Sequence, residues 1–230
     1  MGKRLHNRDA QFIAVMESAA HLQRLVPGAE LVGGSAAILY SDHRESRDHD
    51  HVLPDLADRF EMVLEAVEED DGWATNRVTP GKVILGNLDG IETGVRQMIR
   101  KAPLEITRVE LPSGAEVTVP TLEETLRIKA FLIVRRNQTR DYLDVAALSA
   151  GLGVDRAAEI LNRIDEYYAD QADSDDGIAS QLTRQLADPR PADDRTVAQL
   201  PAYRRLRQEW RDWGAVTEIL GEVAIRMVAA

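Results

Sequence analysis

Apolar residues near the start of the chain switch between helical and extended spacing. Over residues 9–26 they recur every three or four positions, which predicts a helix that stops at Pro27-Gly28. Shorter apolar runs after this turn predict a strand, a helix and a second strand, and Pro54 then marks the start of another helix. The elements predicted for this part are helices at 9–26, 35–41 and 55–69 and strands at 31–33 and 48–53.

The middle of the chain has the pattern of a β-sheet, and the remainder has the pattern of helices. The β-like runs are separated by turns rich in Gly, Pro and Asn, and apolar positions return to helical spacing from residue 121. The predicted strands are 73–78, 82–88, 91–99 (for which a helix stays open), 104–111 and 116–119; the predicted helices are 121–136, 140–150, 154–168, 178–186 and 201–227, with a polar loop at 188–200. These elements predict an α+β fold in which a mixed sheet with flanking helices, at 1–120, is followed by an all-helical domain at 121–230.

A glycine-rich turn lies at the first predicted strand–helix junction. Gly33, Gly34 and Ser35 follow two apolar residues and precede the apolar run 36–40. Glycines let the backbone come close to a ligand, and the free N–H groups at a helix start attract anions. Gly-Gly turns are common in loops, so this one predicts a phosphate site only together with the residues that follow it.

Two carboxylates follow this turn on one predicted strand. Asp48 and Asp50 are two positions apart, which in an extended strand places them on the same face, about 6–7 Å apart along the chain. Two carboxylates beside a phosphate-binding turn form a site for Mg²⁺ carrying a nucleoside triphosphate. The alternative is a solvated strand edge. His49 and His51 could also form half of a transition-metal site, although the sequence offers no further His or Cys cluster to complete it.

A second group of charged residues lies on two predicted helices. Lys129, Arg136, Arg140 and Asp144 fall near one face if the two helices are roughly continuous. The basic residues could neutralise charge on phosphates in a transition state, and Asp144 could orient Lys129 or accept the proton of an attacking hydroxyl. The alternatives are an ordinary surface lysine and an Asp144 that only pairs with Arg140 at i+4.

Composition excludes several classes of protein. A hydrophobic content of 44% and a charged content of 29% are ordinary for a globular protein, and no apolar run approaches the roughly 20 residues of a membrane span. There is no cysteine, which excludes disulfides and a cysteine nucleophile, and no apolar segment typical of a secretory signal follows the basic N-terminus. We therefore expect a cytoplasmic protein with no membrane partner.

The charge of the chain is unevenly distributed. The formal net charge of −11 argues against a protein coated in nucleic acid, yet residues 94–140 carry nine Lys or Arg against five Glu. A basic and aromatic group near the C-terminus suits either RNA contact or inward packing, of which packing is favoured. Its members are Tyr203, Arg204, Arg205, Arg207, Trp210, Arg211 and Trp213.

The two motifs together resemble one enzyme superfamily. Gly33-Gly34-Ser35 followed by Asp48-x-Asp50 resembles the signature of nucleotidyltransferases of the DNA polymerase β type, where apolar residues usually flank the second carboxylate. The segment 126–145, which contains Lys129 and Arg140-Asp141-x-x-Asp144, narrows the resemblance to nucleotidyltransferase toxins of the AbiEii/AbiGii type. The resemblance covers about residues 31–152.

This resemblance implies a set of functional residues and a reaction. The positions carried over by motif are Gly34, Ser35, Ser46, Asp48, Asp50, Lys129 and Asp144, with Gly33 in the same turn and Arg140 and Asp141 as lesser candidates. Asp48 and Asp50 would hold Mg²⁺, the turn would bind the NTP, and Lys129 would stabilise its charge. The implied acceptor is an RNA 3′-hydroxyl, with the acceptor end of tRNA favoured, and the implied partner is an antitoxin.

Two other functions and one structural question stay open at the level of sequence. The chain could nucleotidylate a small molecule, such as an aminoglycoside, or a protein hydroxyl, and it could also be a nucleotide-binding module without turnover. The superfamily often has a third carboxylate on a later strand. Glu105 and Glu110 fit its pattern, but five positions apart on a strand they face opposite sides, so at most one could serve.

Overall fold

The computed structural model describes residues 3–4, 9–171, 176–203 and 205–229. The chain divides into two compact units. The mixed unit consists of Met1–Ala36 and Ser46–Thr121, and the helical unit consists of Ala37–Glu45 and Leu122–Ala230. The segment just before the carboxylate strand therefore belongs to the helical unit, which the sequence pattern did not indicate.

The mixed unit is built on two sheets. The strands of the described residues are, in chain order, β1 (Lys3–Arg4), β2 (Glu30–Val32), β3 (Asp48–Leu53), β4 (Trp73–Thr79), β5 (Val83–Leu88), β6 (Ile91–Gln97), β7 (Ile106–Glu110) and β8 (Glu116–Pro120). Five of them form a sheet in the order β2-β3-β6-β5-β4, in which β3 and β6 are parallel and the other neighbours antiparallel. The second sheet has the order β1-β7-β8. Because β6 pairs with β3 on one side and β5 on the other, the open assignment of this segment is settled as a strand.

Helices flank the sheet and make up most of the second half of the chain. They are α1 (Ala10–Leu25), α2 (Gly33–Ser41), α3 (Phe60–Glu68), α4 (Leu122–Arg136), α5 (Thr139–Leu152), α6 (Val154–Asn162), α7 (Ile164–Tyr168), α8 (Ile178–Ala187), α9 (Asp194–Gln199) and α10 (Trp213–Ala229). In the mixed unit α1 packs on β3, β8 and α3. The predicted α+β class, a mixed sheet with flanking helices followed by a helical half, is confirmed. Within the described part of the chain, no helix has both the length and the apolar character needed to cross a bilayer.

Strand β3 is buried on one face. His49, His51 and Leu53 point into the mixed unit, and Asp48 and Asp50 point to the other side, where they are more exposed. Leu53 joins a hydrophobic cluster contributed by α1, α3, β5 and β6. Since side chains alternate along a strand, burying the histidine face turns both carboxylates outward together.

The two buried histidines differ in their hydrogen bonding. The ring nitrogens of His49 lie 3.0 Å from Ser18 Oγ and 2.9 Å from Thr93 Oγ1, whereas neither ring nitrogen of His51 has a hydrogen-bond partner. Burial lowers the pKa of His49 to about 4 and that of His51 well below its ordinary value. Both rings are therefore neutral at pH 7, and they contact each other edge to face with centroids 5.2 Å apart.

We expect His51→Leu to stabilise the protein. The leucine removes two unsatisfied polar atoms from the core at similar volume, which should raise the free energy of unfolding by about 1–2 kcal/mol in a urea titration at pH 7. The gain should grow as the pH falls below about 6.5, because the histidine is then protonated in the unfolded chain but not in the core. His49→Leu is the control, since it leaves Ser18 and Thr93 unpaired and should lower stability. A loss of stability in His51→Leu would show that the imidazole has a partner in solution.

The start of α3 differs from the predicted helix at 55–69. Residues 54–59 form turns in which the amides of Asp58 and Arg59 both bond to the carbonyl of Asp55, at 3.2 and 3.3 Å. The regular helix begins only at Phe60. Local turn hydrogen bonds therefore displaced the helix start by about one turn.

The C-terminal part of the helical unit departs most from the sequence prediction. The helix predicted at 201–227 is confined to α10, the loop predicted at 188–200 contains α9, and the helix predicted at 154–168 is divided into α6 and α7. The segment before α10 pairs instead with the loop 43–45, since Glu45 N bonds to Arg205 O and Arg207 N to His43 O, both at 2.9 Å. Trp210 and Trp213 pack against the helical core, as favoured from the sequence; Arg204 lies outside the described residues.

Candidate functional site

The glycine-rich turn is attached to the carboxylate strand by a buried hydrogen bond. Helix α2 begins at Gly33, directly after β2 ends. Ser35 is buried, and its hydroxyl donates to the carbonyl oxygen of Asp48 at 2.6 Å. The serine therefore fixes the start of α2 against β3, and its hydroxyl is used in doing so.

Asp48 and Asp50 share the open face of β3. The hydroxyl of Ser46 donates to Asp48 Oδ1 at 2.9 Å, which fixes the direction of that carboxylate. The side chain of Asp50 is 39% exposed, and Arg96 Nε on the neighbouring strand lies 3.5 Å from its Oδ1. Ser46, Asp48 and Asp50, which the sequence predicted as site residues, thus lie together with Arg96, a member of the basic stretch 94–140.

Two glycines leave the carboxylate of Asp50 uncovered. A Cβ on Gly33 would lie 3.4 Å from Asp50 Oδ2, and Gly33 has a φ of +76°, which disfavours other residues. Gly94 faces Asp50 across the β3–β6 pair, and a Cβ there would lie 3.5 Å from Asp50 Oδ1. A Cβ at either position would be in van der Waals contact with the carboxylate, so both glycines leave open space beside Asp50. At Gly94 a Cβ would also lie 2.6 Å from Leu85 Cδ2, so packing between strands requires this glycine as well.

This donor set fits Mg²⁺ carried by a nucleotide better than a cation enclosed by protein. Within the described ranges, no group of three or more His, Asp or Glu side chains is placed to hold a metal ion. Mg²⁺ is commonly held by one or two carboxylates, with water and substrate phosphates completing its shell. Asp48 and Asp50 supply such a pair.

Neither of the two further carboxylates suggested by sequence lies on the sheet that carries Asp48, whereas Glu92 does. Glu110 lies on β7 and Glu105 just before it, and β7 pairs with β1 and β8 in the other sheet. Glu92 on β6 is the register partner of Asp48 and points to the same face of the sheet. The sequence could not indicate this residue, because its role depends on β6 being a strand and on its register with β3.

Ser46→Ala tests whether Asp48 is a metal ligand. If it is, transfer activity should fall by about 10-fold to 100-fold, the usual cost of losing a residue that orients a metal ligand. The carboxylate of Asp48 would keep its charge but lose the hydrogen bond that fixes it. The measurement is the Mg²⁺ concentration that gives half-maximal rate, which should rise. Ser113→Ala is the control, because that hydroxyl bonds to Glu17, away from β3. An unchanged Mg²⁺ requirement would contradict the assigned role of Ser46.

The helical unit contains a buried cluster of charged residues around Asp144. Lys129 Nζ on α4 lies 2.6 Å from Asp144 Oδ2 and 3.8 Å from Asp141 Oδ1. Arg136 binds Asp141 through two nitrogens, at 2.6 and 2.7 Å. Both carboxylates are on α5 and fully buried. The sequence placed Lys129 and Asp144 near one face on the condition that their helices were roughly continuous; in the structure α4 and α5 are separate helices, and the two side chains meet where these helices pack on each other.

Two loop residues that the sequence analysis missed complete this cluster. His43 Nε2 lies 2.7 Å from Asp144 Oδ1, and Arg44 donates to both oxygens of Asp144, from Nε at 3.0 Å and from Nη2 at 3.2 Å. Ser41 Oγ lies 2.6 Å from the other ring nitrogen, His43 Nδ1. These residues are about 100 positions from Asp144, so no local pattern could have linked them.

The electrostatics of Asp144 do not suit a proton acceptor. Burial by itself raises its pKa, but the cations Arg44 and Lys129 and the hydrogen bond from His43 hold the pKa well below its ordinary value. Burial lowers the pKa of His43, so its neutral ring donates from Nε2. Of the two roles considered for Asp144, the arrangement supports orienting Lys129 rather than accepting a proton.

Arg140 is placed differently from the other members of the predicted set. Its side chain is exposed on the first turn of α5, while the adjacent Asp141 is buried with Arg136 and Lys129. The alternative pairing of Arg140 with Asp144 is not what the structure shows, because Asp144 is bound by His43, Arg44 and Lys129 instead.

A sequence model of one protein family matches residues 28–215 of this chain. That family is described as nucleotidyl transferase AbiEii toxin, of a Type IV toxin–antitoxin system. This chain belongs to the AbiEii family. The match includes the glycine turn, the carboxylate strand and the cluster around Asp144, so the resemblance drawn from the motifs is confirmed, and the chain is placed among the transferases.

Curated relatives match only part of this AbiEii chain. The heme uptake protein MmpL11 of Mycobacterium tuberculosis is 44% identical over 94 residues, which are 41% of this chain and 10% of that protein. The mycolic acid-containing lipids exporter MmpL11 of Mycolicibacterium smegmatis is 42% identical over 98 residues, 43% of this chain and 10% of the relative. The chain spans about a tenth of the length of these relatives.

Solved structures support the nucleotidyltransferase fold. JHP933 from Helicobacter pylori has a TM-score of 0.52 at 14% identity, and the match covers 97% of this chain and 94% of that one. The antibiotic-resistance factor ANT(2″)-Ia, in solution, has a TM-score of 0.50 at 13% identity over 71% of this chain and 96% of that one. At these identities the likeness concerns the fold alone.

Proposed function

We propose that this AbiEii chain is a Mg²⁺-dependent toxin that transfers NMP from an NTP to the 3′-hydroxyl of an RNA, with the acceptor end of tRNA as the favoured acceptor. One observation carries the proposal. Helix α2 begins at Gly33, and Ser35 fixes its start to the strand that carries Asp48 and Asp50. Gly33 and Gly94 leave open space beside the carboxylate of Asp50. Backbone N–H groups that attract phosphate thus stand beside carboxylates that attract the cation.

Asp48 and Asp50 would hold the metal ion. When bound, Mg²⁺ supplies charge neutralisation for the triphosphate and polarises the α-phosphate. Ser46 keeps the carboxylate of Asp48 in one direction, and Arg96, half exposed beside Asp50, is a cation available to the phosphates. The first amides of α2 have no partner within the helix and can donate to phosphate oxygens.

The reaction is a nucleophilic displacement at the α-phosphorus of the NTP. The 3′-oxygen forms a bond to the α-phosphorus, the bond between that phosphorus and the bridging oxygen breaks, and pyrophosphate leaves. The hydroxyl proton passes to a base or to solvent. Glu92 is our candidate for that base, because it lies across from Asp48 on the same face.

Lys129 and Asp144 have different roles in this proposal. Lys129 stabilises negative charge on the NTP phosphates, and Asp144 holds Lys129 in place. Arg140, exposed at the start of α5, is a further candidate to contact nucleotide.

Different observations support the RNA acceptor and the antitoxin partner. Arg96, Lys101 and Arg140 are exposed members of the basic stretch 94–140, and they favour a polyanionic acceptor despite the net charge of −11. The toxin–antitoxin description of the family supports an antitoxin partner. NTP and tRNA as substrates imply that the reaction takes place in the cytoplasm.

A second candidate is nucleotidyl transfer to a small cationic acceptor. The acidic net charge favours such a substrate, and one protein of similar fold is an antibiotic-resistance factor. Transfer to a protein hydroxyl is tested by the same experiment.

The deciding experiment is incubation of purified protein with Mg²⁺ and each α-³²P-labelled NTP, with total bacterial tRNA, an aminoglycoside mixture or no acceptor, and with Asp48→Ala as control. Label on tRNA that depends on Asp48 is expected and identifies the nucleotide. Label on the aminoglycoside or on the protein would replace the RNA acceptor by that class. NTP binding without transfer to any acceptor would favour a non-catalytic module and overturn the proposal.

A further inference from the structure

The loop residues His43 and Arg44 bind Asp144, the carboxylate that also binds Lys129. Asp144 Oδ1 accepts from His43 and from Arg44 Nε, while Oδ2 accepts from Arg44 Nη2 and from Lys129. The fork of Arg44 fixes the plane of the carboxylate, because two parallel hydrogen bonds define an orientation where one does not. Lys129 therefore meets an acceptor whose position is already determined.

The cluster carries more positive than negative charge. Its cations are Lys129, Arg44 and Arg136, and its anions are Asp141 and Asp144; His43 is neutral. These groups sum to one surplus positive charge. The side chains of Lys129 and Arg44 are only 3% and 12% exposed, and the buried carboxylates of Asp141 and Asp144 match their two charges. The surplus is that of Arg136, whose side chain is 45% exposed.

Sharing Asp144 between two cations keeps part of the lysine charge uncompensated. If Lys129 were the only cation on Asp144, the pair would be neutral and the ammonium could move with the carboxylate. Because Arg44 donates one hydrogen bond to each oxygen of Asp144, Lys129 makes one short contact to Asp144 and reaches Asp141 only at 3.8 Å. The ammonium thus keeps hydrogen-bonding capacity for a further acceptor.

The loop itself is held in the helical unit by contacts that do not involve Asp144. Its backbone pairs with residues 205–207, Asp42 forms an ion pair with Arg207, and Arg205 Nε lies 3.8 Å from Glu45. The loop is therefore fixed both by its contacts with residues 205–207 and by the hydrogen bonds of His43 and Arg44 to Asp144. These ion pairs also offer a control in which the loop is disturbed without touching the cluster.

We propose that Arg44 and His43 are positioning residues, which lock Asp144 so that Lys129 presents its ammonium to the NTP phosphates in a fixed place. This inference rests on the proposed function, in which Lys129 acts on the NTP. Neither loop residue needs to touch substrate. Their effect passes through Asp144 to Lys129.

The test is a double-mutant cycle in the full chain, read as kcat and as KM for NTP. Arg44→Leu should lower kcat by about 10-fold to 100-fold with a much smaller change in KM, as expected for loss of a residue that orients another. In the Lys129→Met background the same substitution should lower kcat less than threefold further. Arg44→Lys, which keeps the charge but loses the fork, should fall between Arg44→Leu and wild type, and His43→Gln, which keeps a donor, should retain more activity than His43→Leu. Arg207→Leu, which breaks the ion pair with Asp42, should leave kcat near that of wild type.

The outcomes separate this inference from the proposed function. If the losses of kcat caused by Arg44→Leu and Lys129→Met multiply in the double variant, Arg44 acts independently of Lys129 and the inference is overturned. If Lys129→Met leaves kcat unchanged in an active enzyme, the inference fails while the transferase proposal stands. If the wild type transfers nothing, the proposed function fails, and the cycle is read in NTP affinity by calorimetry: coupling between Arg44 and Lys129 supports the positioning role and additivity overturns it. Thermal unfolding of every variant identifies those that do not fold. If Arg44→Leu is one of them, Arg44→Lys takes its place in the cycle.

Discussion

Asp48→Asn and Asp50→Asn are each expected to lower the rate of nucleotidyl transfer by about 10³-fold or more, the range seen when a group that stabilises transition-state charge is removed. Asparagine keeps the shape of the side chain but removes the negative charge that holds the cation in the proposed function. Both residues lie on the open face of β3, and Asp50 is flanked by glycines that keep its oxygens accessible. The measurement is the initial rate with labelled NTP at saturating acceptor, repeated over a range of Mg²⁺ concentrations.

Asp58→Asn is the matched control for these substitutions. It lies in the exposed turn after β3 and makes the same chemical change outside the site, so its rate should equal that of wild type. The two site variants should also unfold at or near the urea concentration of wild type, because neither carboxylate is buried in the core. If Asp50→Asn kept more than about a tenth of the wild-type rate, a loss too small for the removal of a metal ligand, the metal site would have to be assigned to other residues.

The carboxylate strand could be predicted almost residue by residue. Its six residues alternate strictly, so the period alone places Asp48 and Asp50 together and His49 and His51 opposite them. The sequence could not tell which face is buried, because both alternating sets are polar at their centre. The hydrogen bonds of His49 to Ser18 and Thr93 explain how a polar residue is accommodated in that face.

The residues that complete the two clusters could not be predicted. Glu92 lies beside Asp48 only through the register of two strands more than 40 positions apart, and Arg44 reaches Asp144 across 100 positions. Periodicity describes neighbours along one element, whereas these contacts depend on how elements pair. For the same reason the helix predicted at 201–227 is shorter in the structure, since the backbone of residues 205–207 pairs with the loop 43–45 instead of continuing a helix.

Asp144→Ala is expected to destabilise the protein by about 3–5 kcal/mol, the usual cost of removing one partner from a buried ion pair. Asp144 is fully buried, and its loss would leave Lys129 and Arg44 covered without the carboxylate that compensates them. The free energy of unfolding would be measured by urea titration at pH 7. At this pH the contribution is fully present, because the folded-state pKa of Asp144 is held below that of the unfolded chain; it is lost only as the pH falls below about 4.

An exposed ion pair provides the comparison for this prediction. Asp55 pairs with Arg59 at 2.9 Å, but its side chain is 53% exposed, so Asp55→Ala should change stability by less than about 1 kcal/mol. The double variant Asp144→Ala/Lys129→Met should be more stable than Asp144→Ala, because it removes one of the two uncompensated cations. Arg44 remains in that variant, so recovery should be partial. Equal unfolding midpoints for Asp144→Ala and wild type would mean that Lys129 and Arg44 reach solvent in the folded protein and do not need a buried carboxylate.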